Sequence, residues 1–378
     1  MTDARAQSPY SERFTEIFST LEDPRRTSKG NITYPFIEIL FLTISSVLCG
    51  YSDFICIEEF GELNIVWLKK FYPYSSGTCS HDVLGKLFQK INYEAFSACV
   101  INWAKQCYKF TDEELIAIDG KRICGSYDTA SGTLASHIVS AYMSSQEICI
   151  GQVATEQKSN EITAIPNLLD CIDVAGAVIS IDAMGCQKDI AEKIVSKKAD
   201  YLLAVKDNQK NLHEEMQDIF ENKLPFTQHS TLDNNHGRVE KRTATVLNDV
   251  SLLSEKEGWK NLNCLVKIDT ERYVKSTKNT SYETRYYISS CINYTAEQMN
   301  GMVRQHWAIE NKLHWQLDVN FGEDGARKRK GNSAKNFNLI SKIALVLLQR
   351  DKAHKRSIKR KKLHAAFDLK YREEIMKV

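Results

Sequence analysis

Two acidic side chains each follow a short apolar run, a pattern that favours chemistry at the end of a strand. Asp182 comes directly after residues 178–181, and Asp119 comes directly after residues 115–118. Apolar runs of this length predict buried strands. A carboxylate at a strand end can instead cap the next helix or begin a turn, so neither residue is decisive alone. Two strands that end in the same way indicate a shared role.

A third acid lies in segment 304–315, which is rich in polar and aromatic residues. On a helix, two adjoining stripes at four-residue spacing would hold His306, Glu310 and His314, and Trp307, Asn311 and Trp315. Such a face suits an apolar core poorly, and the alternative is a surface helix with half-buried tryptophans. Glu323 and Asp324 compete as the third acid, but the neighbouring Gly322 predicts a helix end, so Glu310 ranks first.

Three carboxylates are suitable ligands for a pair of hard divalent cations. Cleaving or joining a phosphodiester requires deprotonation of a water or hydroxyl and neutralisation of the leaving oxygen, and two cations ~4 Å apart can do both. Carboxylate oxygens suit Mg²⁺, and Mn²⁺ has similar preferences. Asp119, Asp182 and Glu310 therefore predict a Mg²⁺ site at which Mn²⁺ substitutes, provided that folding brings the three together.

Residues 1–110 predict an all-α N-terminal domain. Apolar positions recur at three- and four-residue spacing in 14–21, 35–48, 55–68, 81–89 and 93–109. The breaks between these helices contain turn-forming residues such as Pro24 and Gly50.

From residue 111 the apolar period becomes strand-like. The predicted order is strands 115–121, 136–143 and 147–155, helix 161–172, strand 177–182, helix 188–197 and strand 201–205. Three strands in a meander, followed by alternating helix and strand, indicate an α/β fold with a mixed sheet. This order resembles the ribonuclease H-like core, in which the first and fourth strands are neighbours. Asp119 and Asp182 would then lie within reach of one metal ion.

The 127 residues between Asp182 and Glu310 are far more than a simple connection needs. Strand alternation at 238–246, 264–274 and 282–290 favours an inserted β-rich subdomain. The predicted domain plan is a helical domain 1–110, a core of 111–210 and 296–350, an insertion 211–295 and a basic tail 351–378.

Charge is unevenly distributed along the chain. Lys+Arg 50 against Asp+Glu 48 leaves a net charge of +2, yet residues 303–378 hold 19 basic and 8 acidic side chains, so that this region is +11 and the remainder −9. A basic region favours a polyanion such as nucleic acid, and the alternative is a solvated tail. No membrane span is predicted, because the longest apolar run, 36–49, is too short. Scattered cysteines indicate reduced thiols and a cytoplasmic protein.

Several motifs, in order, carry a resemblance to a known family. They are 117–121, 137–141, 158–162, 181–187, 205–209, 236–240 and 306–324. Together they resemble the DDE insertion-sequence transposases of the H-repeat-associated branch, over about residues 23–348. The resemblance implies a ribonuclease H-like core with a β insertion and a helical associated domain. It also implies that Asp119, Asp182 and Glu310 are the metal-binding triad, and that a homodimer acts on DNA because two element ends are processed together.

Polar residues near the three acids are candidate DNA contacts. They are Lys121, Arg122, Lys206, Asn208, Gln209, His236, Arg238, Arg304, His306, Trp307, Asn311 and His314. Cations among them would hold phosphates, and a tryptophan would stack on an unpaired base. Local alternatives exist, because Lys121 and Arg122 suit a solvated strand end and Asn208 suits a helix cap.

The sequence therefore predicts a Mg²⁺-dependent DNA transposase. It would cut at the ends of its own element, the terminal inverted repeats, and join the 3′ hydroxyl ends to target DNA in the bacterial cytoplasm, on the nucleoid and without a membrane partner. Two alternatives stay open. One is a catalytically inactive, transposase-derived DNA-binding protein, and the other is a metal-dependent DNA nuclease without end joining.

Overall fold

One mixed sheet runs through the centre of the fold. The computed structural model describes residues 9–26, 30, 32–127, 132, 134–155, 161–222, 226–235 and 237–377, and in these the sheet has nine strands. The strands are β1 Leu115–Arg122, β2 His137–Met143, β3 Ile148–Thr155, β4 Val178–Ile181, β5 Asp200–Val205, β6 Thr227–Asn235, β7 Arg238–Leu247, β8 Cys264–Val274 and β9 Asn279–Ser289. Their spatial order is β3-β2-β1-β4-β5-β9-β8-β7-β6. The first five strands have the predicted ribonuclease H-like order, so the fold class is confirmed.

The parallel strands β1, β4 and β5 are neighbours and lie between β2 and β9. Residues 115–118 of β1 and all four residues of β4 are buried, as expected for strands that are covered on both faces. Ile118 pairs with Ile181 where β4 ends, whereas β1 continues alongside β2 as far as Arg122. Parallel pairing therefore places the residue after Ile118 beside the residue after Ile181.

The α-helices are α1 Pro9–Phe18, α2 Phe36–Leu48, α3 Phe54–Leu63, α4 Ile65–Leu68, α5 His81–Lys90, α6 Tyr93–Cys107, α7 Glu161–Cys171, α8 Lys188–Ser196, α9 Lys210–Glu221, α10 Ala296–His306, α11 Trp315–Phe321, α12 Ser333–Arg350, α13 Ile358–Phe367 and α14 Leu369–Ile375. Helices α1 to α6 precede β1 in the chain and form a helical layer, and the other helices follow β3. The predicted helix 55–68 is divided at Asn64 into α3 and α4. Helix α12 contacts α2, α5, α6 and β3, so it joins this layer to the sheet. None of the described helices is long and apolar enough to cross a membrane.

The predicted β-rich insertion is an extension of the core sheet. Strand β9 pairs with β5 in antiparallel orientation, from Leu202 with Ser289 to Val205 with Tyr286. This pairing satisfies the backbone groups that β5 would otherwise expose at a sheet edge. Strand β6 has no counterpart in the sequence prediction, because its residues are almost all polar and exposed and lack an alternating apolar face.

Segment 351–377, which the sequence analysis describes as a basic tail, contains helices α13 and α14. Both pack against α12, and α13 also contacts α2. Arg372 is 1% exposed, its guanidinium lies 4.7 Å from the centre of the Trp67 ring, and it donates a hydrogen bond to the Ala365 carbonyl oxygen at 2.8 Å. Met376 is completely buried. Apolar residues, Arg372 and the buried lysines Lys361 and Lys362 dock the segment.

Replacing Arg372 tests this docking. We expect Arg372→Ala to lower the free energy of unfolding by about 2–4 kcal/mol, because it removes a cation–π contact and leaves buried carbonyl oxygens unpaired. The control Lys370→Ala, two residues earlier and exposed, should change it by less than about 0.5 kcal/mol. Urea denaturation measures both, and equal small effects would mean that the segment does not dock.

Candidate active site

Asp119 and Asp182 lie side by side where the pairing of β1 with β4 stops. Since Ile118 pairs with Ile181 at the end of β4, the residue that follows each isoleucine is an aspartate. Asp119 is half-buried, and its Oδ1 accepts a hydrogen bond from the following backbone N–H at 2.9 Å. Asp182 is open to solvent, and its Oδ1 accepts from the Met184 N–H at 3.1 Å. The structure thus brings the first two predicted acids together.

The pKa of Asp182 is raised above its ordinary value. Desolvation by the surrounding chain is the largest cause, although the side chain stays open to solvent, and the negative charges of Asp119 and Glu161 add to it. Hydrogen bonds from the backbone N–H groups of Gly185 and Met184 act in the opposite direction. A bound cation would offset the repulsion between these acids. Their hard oxygen donors fit Mg²⁺ or Mn²⁺.

Glu161 is an acid near this pair that the sequence analysis does not assign to the site. It begins α7, is 7% exposed, and its carboxylate contacts His137 Nε2 on β2. A Cβ at Gly120 would lie 2.5 Å from both Glu161 Oε1 and His137 Nε2, so this contact requires a glycine beside Asp119. Acidic residues are common in the first turn of a helix for electrostatic reasons alone. The sequence therefore does not distinguish Glu161 from an ordinary helix start.

Glu310 lies on a helical segment that runs past the ends of β1 and β4. Helix α10 ends at His306, and Glu310–His314 forms a π-helical turn ahead of α11. His306 Nδ1 lies 2.9 Å from Ser180 Oγ on β4, and His314 Nε2 lies 3.3 Å from Asp119 Oδ2. Glu310 comes between these two contacts in the chain. Its side chain is exposed and has no hydrogen bond or ion pair with a described residue.

The predicted triad appears in the structure as a pair of acids and a separate third one. Among the described residues, no three His, Cys, Asp or Glu side chains form a group that could hold a metal ion. Residues four apart on a helix share a face, at about 5–6 Å between their Cβ atoms. Glu310 is therefore about one turn from His314, which contacts Asp119. A role for Glu310 as the third ligand stays a prediction.

Lys121, a predicted DNA contact, is held inside the protein. Its ammonium pairs with Asp318 of α11 and with Glu323 at 2.6 Å, and 11% of the side chain is exposed. Burial alone would lower the pKa of Lys121, but the carboxylates of Glu323 and Asp318 outweigh it and raise the pKa. Glu323, the rival third acid, also accepts from Asn338 Nδ2 at 2.6 Å. Gly322 ends α11 with φ of 65°, as predicted. Lys121 thus links β1 to this segment.

Four predicted DNA contacts line one groove between β7–β9 and α10, here named the cationic groove. Its volume is ≈ 420 Å³, and its charged and polar lining comprises Arg238, Arg242, Arg272, Arg285, Arg304, Lys312, Asn311, Trp307, Thr270, Glu240 and Glu283. This excess of positive charge suits a phosphate backbone. The Arg285 guanidinium lies 4.4 Å from the centre of the Trp307 ring, so one face of the ring is already covered.

The other predicted DNA contacts lie elsewhere. Arg122 and Lys206 are exposed, whereas His306 and His314 are buried. The buried histidines contact the sheet, which does not favour the predicted DNA role. Asn208 and Gln209 donate hydrogen bonds to backbone carbonyl oxygens just after Asp182. His236 lies outside the described residues.

Two family models match the chain. The model described as "DDE_Tnp_1-associated" matches residues 15–104, and the model described as "Transposase DDE domain" matches residues 110–347. The second match covers more than half of the chain. The chain belongs to the DDE transposase family. In this transposase, the helical layer ahead of β1 corresponds to the associated model, and the sheet with its acids corresponds to the DDE model.

Similar proteins carry transposase names. "Putative transposase YncI" from Escherichia coli O157:H7 is 41% identical over 371 residues, which are 96% of this chain and 93% of the relative. "H repeat-associated putative transposase YhhI" from Escherichia coli (strain K12) is 38% identical over 377 residues, which are 97% and 98%. The predicted H-repeat-associated branch is thereby confirmed. A solved piggyBac transposase synaptic complex with hairpin DNA aligns at a TM-score of 0.43 and 14% identity, covering 100% of this chain and 82% of that one, which is too distant to carry an argument.

The raised pKa of Asp182 predicts how stability depends on pH. A carboxyl with a raised folded-state pKa costs stability once it ionises, so the penalty is absent below the unfolded pKa of 3.8 and is complete above the folded pKa. Asp182→Asn keeps an acceptor for the Met184 N–H but removes the charge. We expect it to be more stable than the wild type at pH 7, by less than about 1 kcal/mol because solvent screens the site.

Thermal denaturation in EDTA from pH 4 to pH 8 measures this difference. The gain should shrink as the pH falls towards 4. Asp173→Asn, a matched change at an exposed aspartate away from the acid pair, should give no such gain. A variant at Asp182 that is less stable than the wild type throughout the range would contradict a raised pKa of Asp182 in the folded protein.

Proposed function

We propose that this chain is a Mg²⁺-dependent DNA transposase that cleaves the ends of its insertion element and joins the 3′ hydroxyl ends to target DNA. The observation that carries the proposal is the pair of aspartates placed side by side by the pairing of β1 with β4, where desolvation and then the charges of Asp119 and Glu161 raise the pKa of Asp182. Membership of the DDE transposase family supports it. The cationic groove supports the choice of DNA as substrate.

Asp119 and Asp182 would hold the metal ions, and Glu310 would complete the set. Divalent cations would lower the pKa of an attacking water or hydroxyl and offset charge on the leaving oxygen. The helical segment from His306 to His314 contacts β1 and β4, and these contacts limit the positions that the Glu310 side chain can occupy. Since Glu310 is exposed and unpaired among the described residues, its side chain can turn towards the aspartates without breaking a contact.

The cationic groove would bind the phosphate backbone of an element end. Arg238 and Arg304 lie on opposite sides of it, on β7 and α10. Arg122 and Lys206 are exposed near the acid edge and would extend the contact. Two ends must be processed together, so a homodimer on DNA fits the reaction, and such a protein would act on the nucleoid in the bacterial cytoplasm.

Substitution of the acids tests catalysis. We expect Asp119→Asn, Asp182→Asn and Glu310→Gln each to reduce strand cleavage at least about 1000-fold, a loss of about 4 kcal/mol in transition-state stabilisation. Binding of end DNA should stay within about 3-fold, because the cationic groove is unchanged. Cleavage of a plasmid that carries both element ends and a gel-shift assay measure the two effects. Asp324→Asn, at the exposed rival acid, serves as the control and should cleave normally.

Each alternative has its own outcome in these assays. Cleavage by Asp182→Asn at the wild-type rate would refute the proposal. Normal cleavage by Glu310→Gln alone would remove that residue from the triad. A wild-type protein that binds ends but never cuts would be the inactive DNA-binding protein, an alternative that the exposed position of Glu310 keeps open. Cutting without joined product, when donor ends, target plasmid and Mg²⁺ are supplied, would indicate a nuclease.

The salt dependence of end binding tests the cationic groove. We expect Arg238→Ala with Arg304→Ala to weaken binding and to lower the slope of log K against log salt concentration by about 2, since each lost phosphate contact removes about one released counterion. Lys260→Ala, an exposed cation outside the groove lining, is the matched control and should leave the slope unchanged. Equal slopes for all three proteins would place the DNA elsewhere.

A further inference from the structure

The turn that follows β4 determines where Asp182 lies. Pairing between β1 and β4 ends at Ile118 with Ile181, so Asp182 is beyond the last sheet contact between them. The chain then enters a short 3-10 turn, Ala183–Gly185, in which the Gly185 N–H donates to the Asp182 carbonyl oxygen at 3.1 Å. Whatever holds this turn therefore also sets the direction of the carboxylate.

One side of the turn is held by close packing. A Cβ added at Gly185 would clash with Ile181 Cγ2 and would lie 3.1 Å from Ile165 Cδ1 of α7. Because Ile165 and Ile181 are both buried, neither can move away easily. The turn consequently cannot shift towards α7.

The other side is held by two amide side chains from the β5–α9 junction. Asn208 Nδ2 donates to the Ala183 carbonyl oxygen, and Gln209 Nε2 donates to the Cys186 carbonyl oxygen at 2.9 Å. A carbonyl oxygen is an acceptor only, so it is the NH₂ group of each amide that faces the turn. These two bonds satisfy carbonyl groups at both ends of the turn.

The junction itself is firmly anchored. Strand β5 pairs with β4 on one side and with β9 on the other. Leu212 and Met216 of α9 are buried directly after the two amides. Asn208 and Gln209 therefore act from a rigid support.

We propose that Asn208 and Gln209 are positioning residues that hold the Asp182 carboxylate by bracing the turn behind it, an inference that rests on the proposed function. They affect the reaction through Asp182, and other side chains contact the DNA. A displaced ligand reduces catalysis strongly, because an error of about 1 Å in a reacting geometry can cost about 100-fold in rate.

The test compares a double variant, which carries both Asn208→Ala and Gln209→Ala, with the control variant Asn211→Ala. The control makes the same change at an exposed residue of α9 that has no side-chain hydrogen bond with a described residue. We expect the double variant to lose about 10–100-fold in the rate of strand cleavage at saturating end DNA, with end binding within about 2-fold of the wild type. The control should match the wild type in both assays.

Metal binding gives a readout that is independent of activity. The rise in thermal midpoint on addition of Mg²⁺ should be smaller in the double variant, whereas the midpoint in EDTA should stay near that of the wild type. Asn208→Leu with Gln209→Met, which approximates the size of the side chains without charge but removes the donors, should show the same deficit. If the double alanine variant fails to fold, Asn208→Ala alone, at an exposed position, is measured in the same way.

Two results would overturn the inference. Weaker end binding with normal cleavage at saturating DNA would make the amides DNA contacts, as the sequence predicts. Wild-type values in every assay would show that the bonds to the turn are not needed. Both results are read beside Asp182→Asn. If that variant loses cleavage, a failure here leaves the proposed function intact, and if it does not, the proposed function itself fails.

Discussion

Parallel pairing of β1 with β4 is the constraint on which the site depends. It aligns Ile118 with Ile181 and so forces two aspartates to the same edge of the sheet. In the absence of a cation that arrangement costs free energy, because desolvation and, after it, the like charges of Asp119 and Glu161 raise the pKa of Asp182. The buried apolar runs of both strands supply the free energy that holds the acids together.

A second constraint is the contact between this edge and the segment that carries Glu310. His306 Nδ1 forms a hydrogen bond with Ser180 Oγ, and His314 Nε2 contacts the Asp119 carboxylate. The ion pairs of Lys121 with Asp318 and Glu323 fasten the far end of the same segment to β1. The π-helical turn lies between these attachment points, and such turns are often found at functional sites. The side chain of Glu310 is thus exposed and unpaired among the described residues, although contacts on both sides of it attach the segment to the sheet.

The sequence predicts the core well because its signals there are local. The sequence predicts a strand at 201–205, where β5 spans Asp200–Val205, and the predicted helix 81–89 agrees with α5 to within one residue. Strand β6 is the edge strand next to β7, its residues are mostly polar and exposed, and no apolar period in the sequence reveals it. The same limit applies to the site. The contact of Glu161 with His137 and the ion pairs of Lys121 join distant parts of the chain, so local residue types do not predict them.

The insertion belongs to the same sheet as the strands that carry the acids, because β9 pairs with β5. The strands that line the cationic groove and the strands that position Asp119 and Asp182 therefore belong to one hydrogen-bonded sheet. Helix α10 completes this arrangement, since it contacts β1, β4, β6 and β7 together. Arg304 and Trp307 face the groove, whereas His306 faces the sheet. One short helical segment therefore has to satisfy the sheet, the acid edge and the groove at once, which explains its dense run of polar and aromatic residues.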